Sequence, residues 1–331
     1  MLINLFENQN QSLVNNNNEK SNVTIGGNNM RTTTFETIGT TINTNDVITA
    51  LHNSGLDYTV SKRNTYFTSS DGNQILIPNI KSTVRDTDEH FYGTVSDKYQ
   101  IIQNQDAFDF VNYVSDDMIL RKAGETQSGM IYLIGELPKI NILGDDYQPY
   151  IIFRNSHNGR YNLQATICPL RIVCKNQFNI AFKESPNTIT IRHSSRAEEK
   201  MREGQIILKG TADYMKQLTI EAEKYATTHL SDKDLWTIIK TLFPITDDMT
   251  DRKKEQMNNQ IIALRKAYHA DDNANFKNTM WGMINAYSDY ITHNQPLRNT
   301  DTAIENKFIA VTFDPTLMRN LINIMNSIKA A

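Results

Sequence analysis

Cysteine is scarce in this chain: Cys168 and Cys174 are the only two among 331 residues. Two thiols in apolar, strand-like sequence do not make a disulfide framework, and a reducing compartment suits them. No apolar run approaches the roughly 20 residues that span a bilayer. The opening MLINLFENQNQ has no basic segment ahead of a long apolar stretch, so a secretory signal is not expected. These absences predict a soluble, cytoplasmic protein with no membrane partner. Catalytic signatures are missing as well. There is no GxxxxGK[ST] phosphate loop, no strand-linked GxGxxG, no GxSxG and no HExxH. No cofactor is expected, and the reading leans away from an enzyme.

What is present suffices for a sizeable core. Hydrophobic residues make up 39% and charged residues 21%, a globular balance for one large domain or two. Residues 1–34 stand apart. They are polar, with Asn15–Asn18 in a row, and bury too little to offset the entropy of ordering, so they read as a disordered Asn-rich arm.

From Phe35 the chain reads as hairpins with short helices. Thr44 or Asn45 is placed to cap a helix bearing Val47, Ile48 and Leu51, closed by Gly55. Tyr66–Phe67 and Gln74–Ile77 flank SSDG, an Asp-Gly hairpin turn, and Lys81–Arg85 and Phe91–Val95 flank DTDEH. Asn104 is placed to cap a helix carrying Ala107, Phe108, Val111 and Val114. Met118–Ala123 and Met130–Leu137 make another hairpin. Tyr150–Arg154 and Tyr161–Ile167 flank NSHNG, where Asn158-Gly159 is the tight-turn signal. Pro169 suggests a sheet edge or bulge near Cys168. KNQFNIAF reads as a short helix, and Thr188–Arg192 as a strand.

Beyond Ser194 the pattern turns helical. Ser195 and Glu198 have capping-box spacing. A helix is predicted from Arg196 to about Thr228, bent near Gly204 or Gly210. Ser231–Leu242, Asp251–His269, Asn275–Thr292 and Thr316–Ile328 follow, with Phe308–Phe313 as a short strand. Strands followed by helices argue for an α+β fold. The expected order is an antiparallel, hairpin-rich sheet over 35–193, then a helical region over 194–331 packed on the sheet or extending from it.

Charge is uneven. Tyr150–Arg202 carries nine Lys/Arg against three Glu, a surplus of +6 in a chain whose net charge is −3. Single-strand binding needs cations for phosphates and planar groups for bases. Arg154, Arg160, Arg171, Lys175, Arg192 and Arg196 are the candidate phosphate holders, and Tyr161 the candidate stacking ring. The bland alternative is solvated strand-edge and helix-start charge. Asp86, Asp88, Glu89 and His90 could ligate a divalent cation, but a solvated turn is the better reading, so no metal is expected. His157 in a hairpin tip and His193 beside Arg192 read as surface histidines. Trp281, Ile284, Tyr287 and Ile291 fall at helical spacing, a core stripe more than a stacking surface.

Five stretches carry a resemblance: SGLDYTVSKRN (54–64), VRDTDEHFYGTVSDKYQIIQNQDAFDFVNYV (84–114), FRNSHNGRYNLQATICPLRIVCKNQFNIAF (153–182), IRHSSRAEEKM (191–201) and NTMWGMINAYSDYITH (278–293). In that order they resemble the phage/plasmid-like protein family catalogued as domain of unknown function 932. The resemblance implies a setting in mobile-element DNA metabolism inside a host cell. It implies no catalytic residue. The leading expectation is therefore a non-enzymatic DNA-binding protein, favouring single strands, in recombination or replication of a mobile element, with homo-oligomers as possible partners. A protein-interaction factor acting on a host protein is the alternative, and a metal-dependent nuclease at Asp86, Asp88 and Glu89 a remote one.

Overall fold

A computed structural model describes residues 34–109, 118–173, 175–177, 179–181, 187–208, 210–296 and 302–330. Of the Asn-rich stretch 1–34, all but Thr34 lies outside the described residues.

The chain enters through α1 (Thr34–Thr37), β1 (Thr40–Thr44) and α2 (Val47–Ser54). Asp46 caps α2, accepting from the Thr49 N–H, and Asp46 in turn donates its own N–H to Thr44. Gly55 ends the helix at φ 70°, a left-handed conformation that costs glycine little. Next come β2 (Val60–Thr68), β3 (Gln74–Arg85) and β4 (Phe91–Ser96), a three-stranded antiparallel sheet of their own. The short α3 (Asn104–Phe108) follows. It begins at Asn104, with Gln103 as the cap residue; Val111 and Val114 lie outside the described residues.

The main sheet contains β5 (Ile119–Glu125), β6 (Met130–Glu136), β7 (Ile140–Ile142), β8 (Asp145–Ser156), β9 (Leu163–Arg171), β10 (Asn176–Gln177) and β11 (Thr188–Ile191), joined at one edge by β1. Its order is β1-β5-β6-β8-β9-β10, with β7 also on β8 and β11 also on β9. Every pairing is antiparallel.

Seven α-helices follow among the described residues: α4 (Ala197–Leu208), α5 (Thr211–Thr227), α6 (Asp232–Leu242), α7 (Asp251–Tyr268), α8 (Met280–Asp289), α9 (Ala303–Phe313) and α10 (Thr316–Ala330). A 3-10 turn (Asp271–Phe276) precedes α8 and a π turn (Tyr290–Asn294) follows it. All ten residues of α8 are buried. The predicted long helix breaks at Gly210, between α4 and α5.

Strand alternation divides the core. Ile131, Leu133, Ile151, Phe153, Leu163, Ala165 and Ile167 join one cluster with Trp281, Met283, Ile284 and Tyr287 of α8. Met130, Tyr132, Ile134, Ile152, Cys168 and Leu170 form a second with Phe308 and Phe313 of α9. Because both faces are covered, β6, β8 and β9 read as nearly continuous apolar runs.

Three local expectations fail. KNQFNIAF does not open as a helix: Asn176 and Gln177 form β10 against Leu170 and Arg171. Side chains of the helical layer hold that backbone. The Gln177 N–H donates to Thr292 Oγ1, and Ser288 and Thr292 donate to its carbonyl. Phe308–Phe313 is the end of α9, not a strand, because a short apolar run does not reveal its period. Pro169 lies at neither an edge nor a bulge. It faces Pro149 of β8, and on its other side it stands, among the described residues, between the end of the β11 pairing at Thr166 and the start of the β10 pairing at Leu170.

Candidate nucleic-acid interface

The seven predicted residues separate into three groups. Arg171 is a core residue. Its side chain is 2% exposed, its Nε donates to Asp145 at 2.8 Å, and a terminal nitrogen donates to the Asp272 carbonyl at 2.6 Å. The Phe276 ring lies beneath it. A guanidinium so enclosed has no route to a phosphate. Lys175 is tied to Glu36 at 2.8 Å.

Arg154 lies on the opposite face of the sheet from Arg171. Its guanidinium sits 4.2 Å from the Phe313 ring centre and 5.2 Å from that of Tyr161, and among the described residues its Nε has no hydrogen-bond partner. Burial pushes its pKa down to about 10. Tyr161 is half-buried over this arginine, with its hydroxyl 3.2 Å from Ser128 Oγ. The six cations therefore do not form one continuous row.

Arg160, Arg192 and Arg196 are exposed, and the register brings Arg160 and Arg192 to the same end of the sheet. Arg192 directly follows β11, whose last residue pairs with Leu163, three residues past Arg160. Tyr99 welds the two segments. Its ring stacks on His193 at 4.7 Å and 14°, and its hydroxyl donates to the Ser156 carbonyl at 2.9 Å. His193 exchanges further bonds with the Gln100 backbone. Lys62 reaches the same place, donating to the carbonyls of Asp97 and Tyr99, and Lys98 is exposed beside them. His193 is not a free surface group: burial holds its pKa below the ordinary value. Lys62 and Tyr99 escaped the sequence reading because their partners lie tens of residues away, beyond any local period.

Acid bounds this basic end. A cleft of about 570 Å³ is lined by Gln100, Ile102, Asp106, Asp109, Ser195 and Glu198 among others, and is acidic on balance. Arg202 is paired with Glu198 at 2.5 Å, and Lys200 with Glu203, so the start of α4 contributes little net positive field.

The acidic turn after β3 is a solvated turn. Asp86 accepts from Thr59 and Ser61, Asp88 lies 3.5 Å from Arg85, and Glu89 pairs with Arg63. Among the described residues no group of three or more His, Cys, Asp or Glu side chains is disposed to hold a metal ion.

His157 is the clearest reversal. The hairpin tip suggested exposure, yet the side chain is fully buried. Tyr58 and Tyr92 flank its ring. The Tyr92 hydroxyl donates to that of Tyr58 at 2.7 Å, Tyr58 donates to Glu125, and Arg85 pairs with Glu125 at 3.3 Å while lying over the Tyr58 ring. This network fastens the small sheet to the main one. Burial raises the Tyr92 hydroxyl to about 12 and Tyr58 further still, so both stay protonated and donate. Asn104 donates its Nδ2 to the Leu56 carbonyl, which leaves Oδ1 to accept from His157 Nε2 at 2.9 Å. Among the described residues His157 Nδ1 then has no partner. A proton there would be buried without an acceptor, and burial, helped by His193 and Arg85, lowers the imidazole pKa to about 3.

No helix among the described residues is long and apolar enough to cross a membrane. No curated protein and no solved structure matches the chain. The family described as Domain of unknown function (DUF932) matches over residues 91–310, which holds the main sheet except β1, together with α8 and the Arg160–Arg192 end. The chain belongs to the DUF932 family.

Proposed function

We propose that this protein binds single-stranded DNA without catalysing a reaction on it, in recombination or replication of a phage or plasmid. The observation that supports the reading is the placement of the exposed Arg160 and Arg192 at neighbouring strand ends, with Lys62 and Lys98 beside the Tyr99–His193 stack and the exposed Arg196 three residues beyond it. Only Arg160, Arg192 and Arg196 of the residues first considered belong to this track. Arg171 and Lys175 hold the fold together, and Arg154 supports the Tyr161 ring from below. Tyr161, half open at the edge of the track, is the surface for a base to stack on. The mobile-element setting rests on the family resemblance alone.

Anisotropy of a labelled oligonucleotide tests the reading. Arg160→Glu with Arg192→Glu should weaken binding more than tenfold, while Lys175→Glu should not. Equal effects of the two, or no binding by the wild type at micromolar protein, would end it.

A second reading is that the protein grips another protein. Ile75, Leu76 and Ile80 favour it, being large aliphatic side chains exposed on the small sheet. That reading predicts no oligonucleotide affinity.

A further inference from the structure

Tryptophan is rare in this chain, and its two positions have opposite surroundings. Trp281 is fully buried in α8, whereas Trp236 on α6 is 42% exposed. An indole is a large apolar group to leave in water, so its neighbours decide its meaning. Those neighbours are cations. Lys233 and Lys240 stand three residues before Trp236 and four after it, spacings that share one helix face, and both are exposed. Arg265 of α7 reaches across and places its guanidinium 4.8 Å from the indole ring centre. A guanidinium over an indole holds the ring in one orientation.

Lys277, also exposed, approaches from a third segment. The Leu230 N–H donates to the Asn278 carbonyl, and the Asn278 N–H donates to the Tyr268 hydroxyl. These bonds tie the stretch after the 3-10 turn to the start of α6 and the end of α7. His269, at that end of α7, registers the charge. Burial first, then Arg265 and Lys277, hold its imidazole below the ordinary value, with Asp232 acting the other way. Among the described residues none of Lys233, Lys240, Arg265 and Lys277 is in an ion pair, while Asp234 on the same helix as Trp236 is taken by Lys329.

We propose that Trp236 is a second stacking platform for single-stranded nucleic acid, with Lys233, Lys240, Arg265 and Lys277 holding phosphates around the stacked base. A single strand uses both features of the patch, a planar ring for the base and unpaired cations for the backbone. An acidic peptide would use the cations and have no need of the indole. The inference rests on the proposed single-strand binding, but on none of the residues that support it.

Intrinsic fluorescence of the full chain tests it, because Trp281 is enclosed and Trp236 is the tryptophan a stacked base could reach. A single-stranded oligonucleotide should quench the tryptophan emission as it binds. An abasic strand of the same length should not, and neither should polyglutamate. Trp236→Phe should keep most of the affinity and lose the quenching. Trp236→Ala should bind roughly tenfold more weakly at an unchanged melting temperature. Anisotropy that reports binding while the emission stays constant overturns the proposal and leaves single-strand binding standing; no binding at all overturns both. Quenching that persists in Trp236→Phe comes from Trp281 and overturns the proposal alone. So does quenching by the abasic strand or polyglutamate equal to that by the oligonucleotide, or a folded Trp236→Ala with wild-type affinity.

Discussion

Acid should unfold this protein through His157. Its imidazole is fully buried, donates from Nε2 to Asn104, and among the described residues has nothing to receive a proton placed on Nδ1. In the unfolded chain the ring titrates near its ordinary 6.5; in the fold it is held down to about 3. The unfolded state therefore binds the proton first. The group's contribution is fully present above pH 6.5 and is lost as pH falls toward about 3. With one pKa unit equal to about 1.4 kcal/mol, moving from about pH 8 to about pH 5 should cost roughly 2 kcal/mol from this group alone. Urea unfolding at the two pH values measures the loss. His157→Gln keeps a donor toward Asn104 and removes the titrating nitrogen. His193 and His269 are also held low by burial, but they remain in both proteins and cancel in the difference. The wild type should lose about 2 kcal/mol more than the variant on acidification. An equal loss in both, or an NMR titration placing His157 near pH 6, would refute the reasoning.

Other consequences concern packing. Arg171→Ala leaves Asp145 without its buried partner and should cost about 3 kcal/mol or more, read from denaturant midpoints; a surface-like cost below about 1 kcal/mol would contradict the pairing. Gly282→Ala should lower the melting temperature, since a Cβ there would collide with the Phe276 carbonyl oxygen, an overpacking cost of about 1–3 kcal/mol. An unchanged melting temperature would show that the 3-10 turn yields freely. Single Arg160→Ala and Lys98→Ala changes should each reduce the salt dependence of oligonucleotide binding without altering stability, because both side chains are exposed.

The elements legible in the sequence were those with local instructions. The turn at Asp71-Gly72 and the left-handed Gly55 each act within a few residues, and each is where the pattern placed it. The buried Trp281 stripe followed from helical spacing. What failed depended on distant partners. Gln177 is held in a strand by Ser288 and Thr292, over a hundred residues away. His157 looked exposed because a tight turn usually is, but the small sheet, docked through Tyr58 and Tyr92, covers it. The charge surplus of Tyr150–Arg202 was likewise a property of composition, not of place. β-strand alternation sends Arg154 and Arg171 to opposite faces, and only the register of β11 on β9 brings Arg192 near Arg160.

The basic track is tested most directly by oligonucleotide anisotropy at two salt concentrations. If about four phosphates are neutralised, affinity should fall roughly 50-fold between ~50 mM and ~200 mM salt, and Arg160→Glu with Arg192→Glu should flatten that slope by about half. Binding that ignores salt, or a slope untouched by reversing both arginines, would contradict the account.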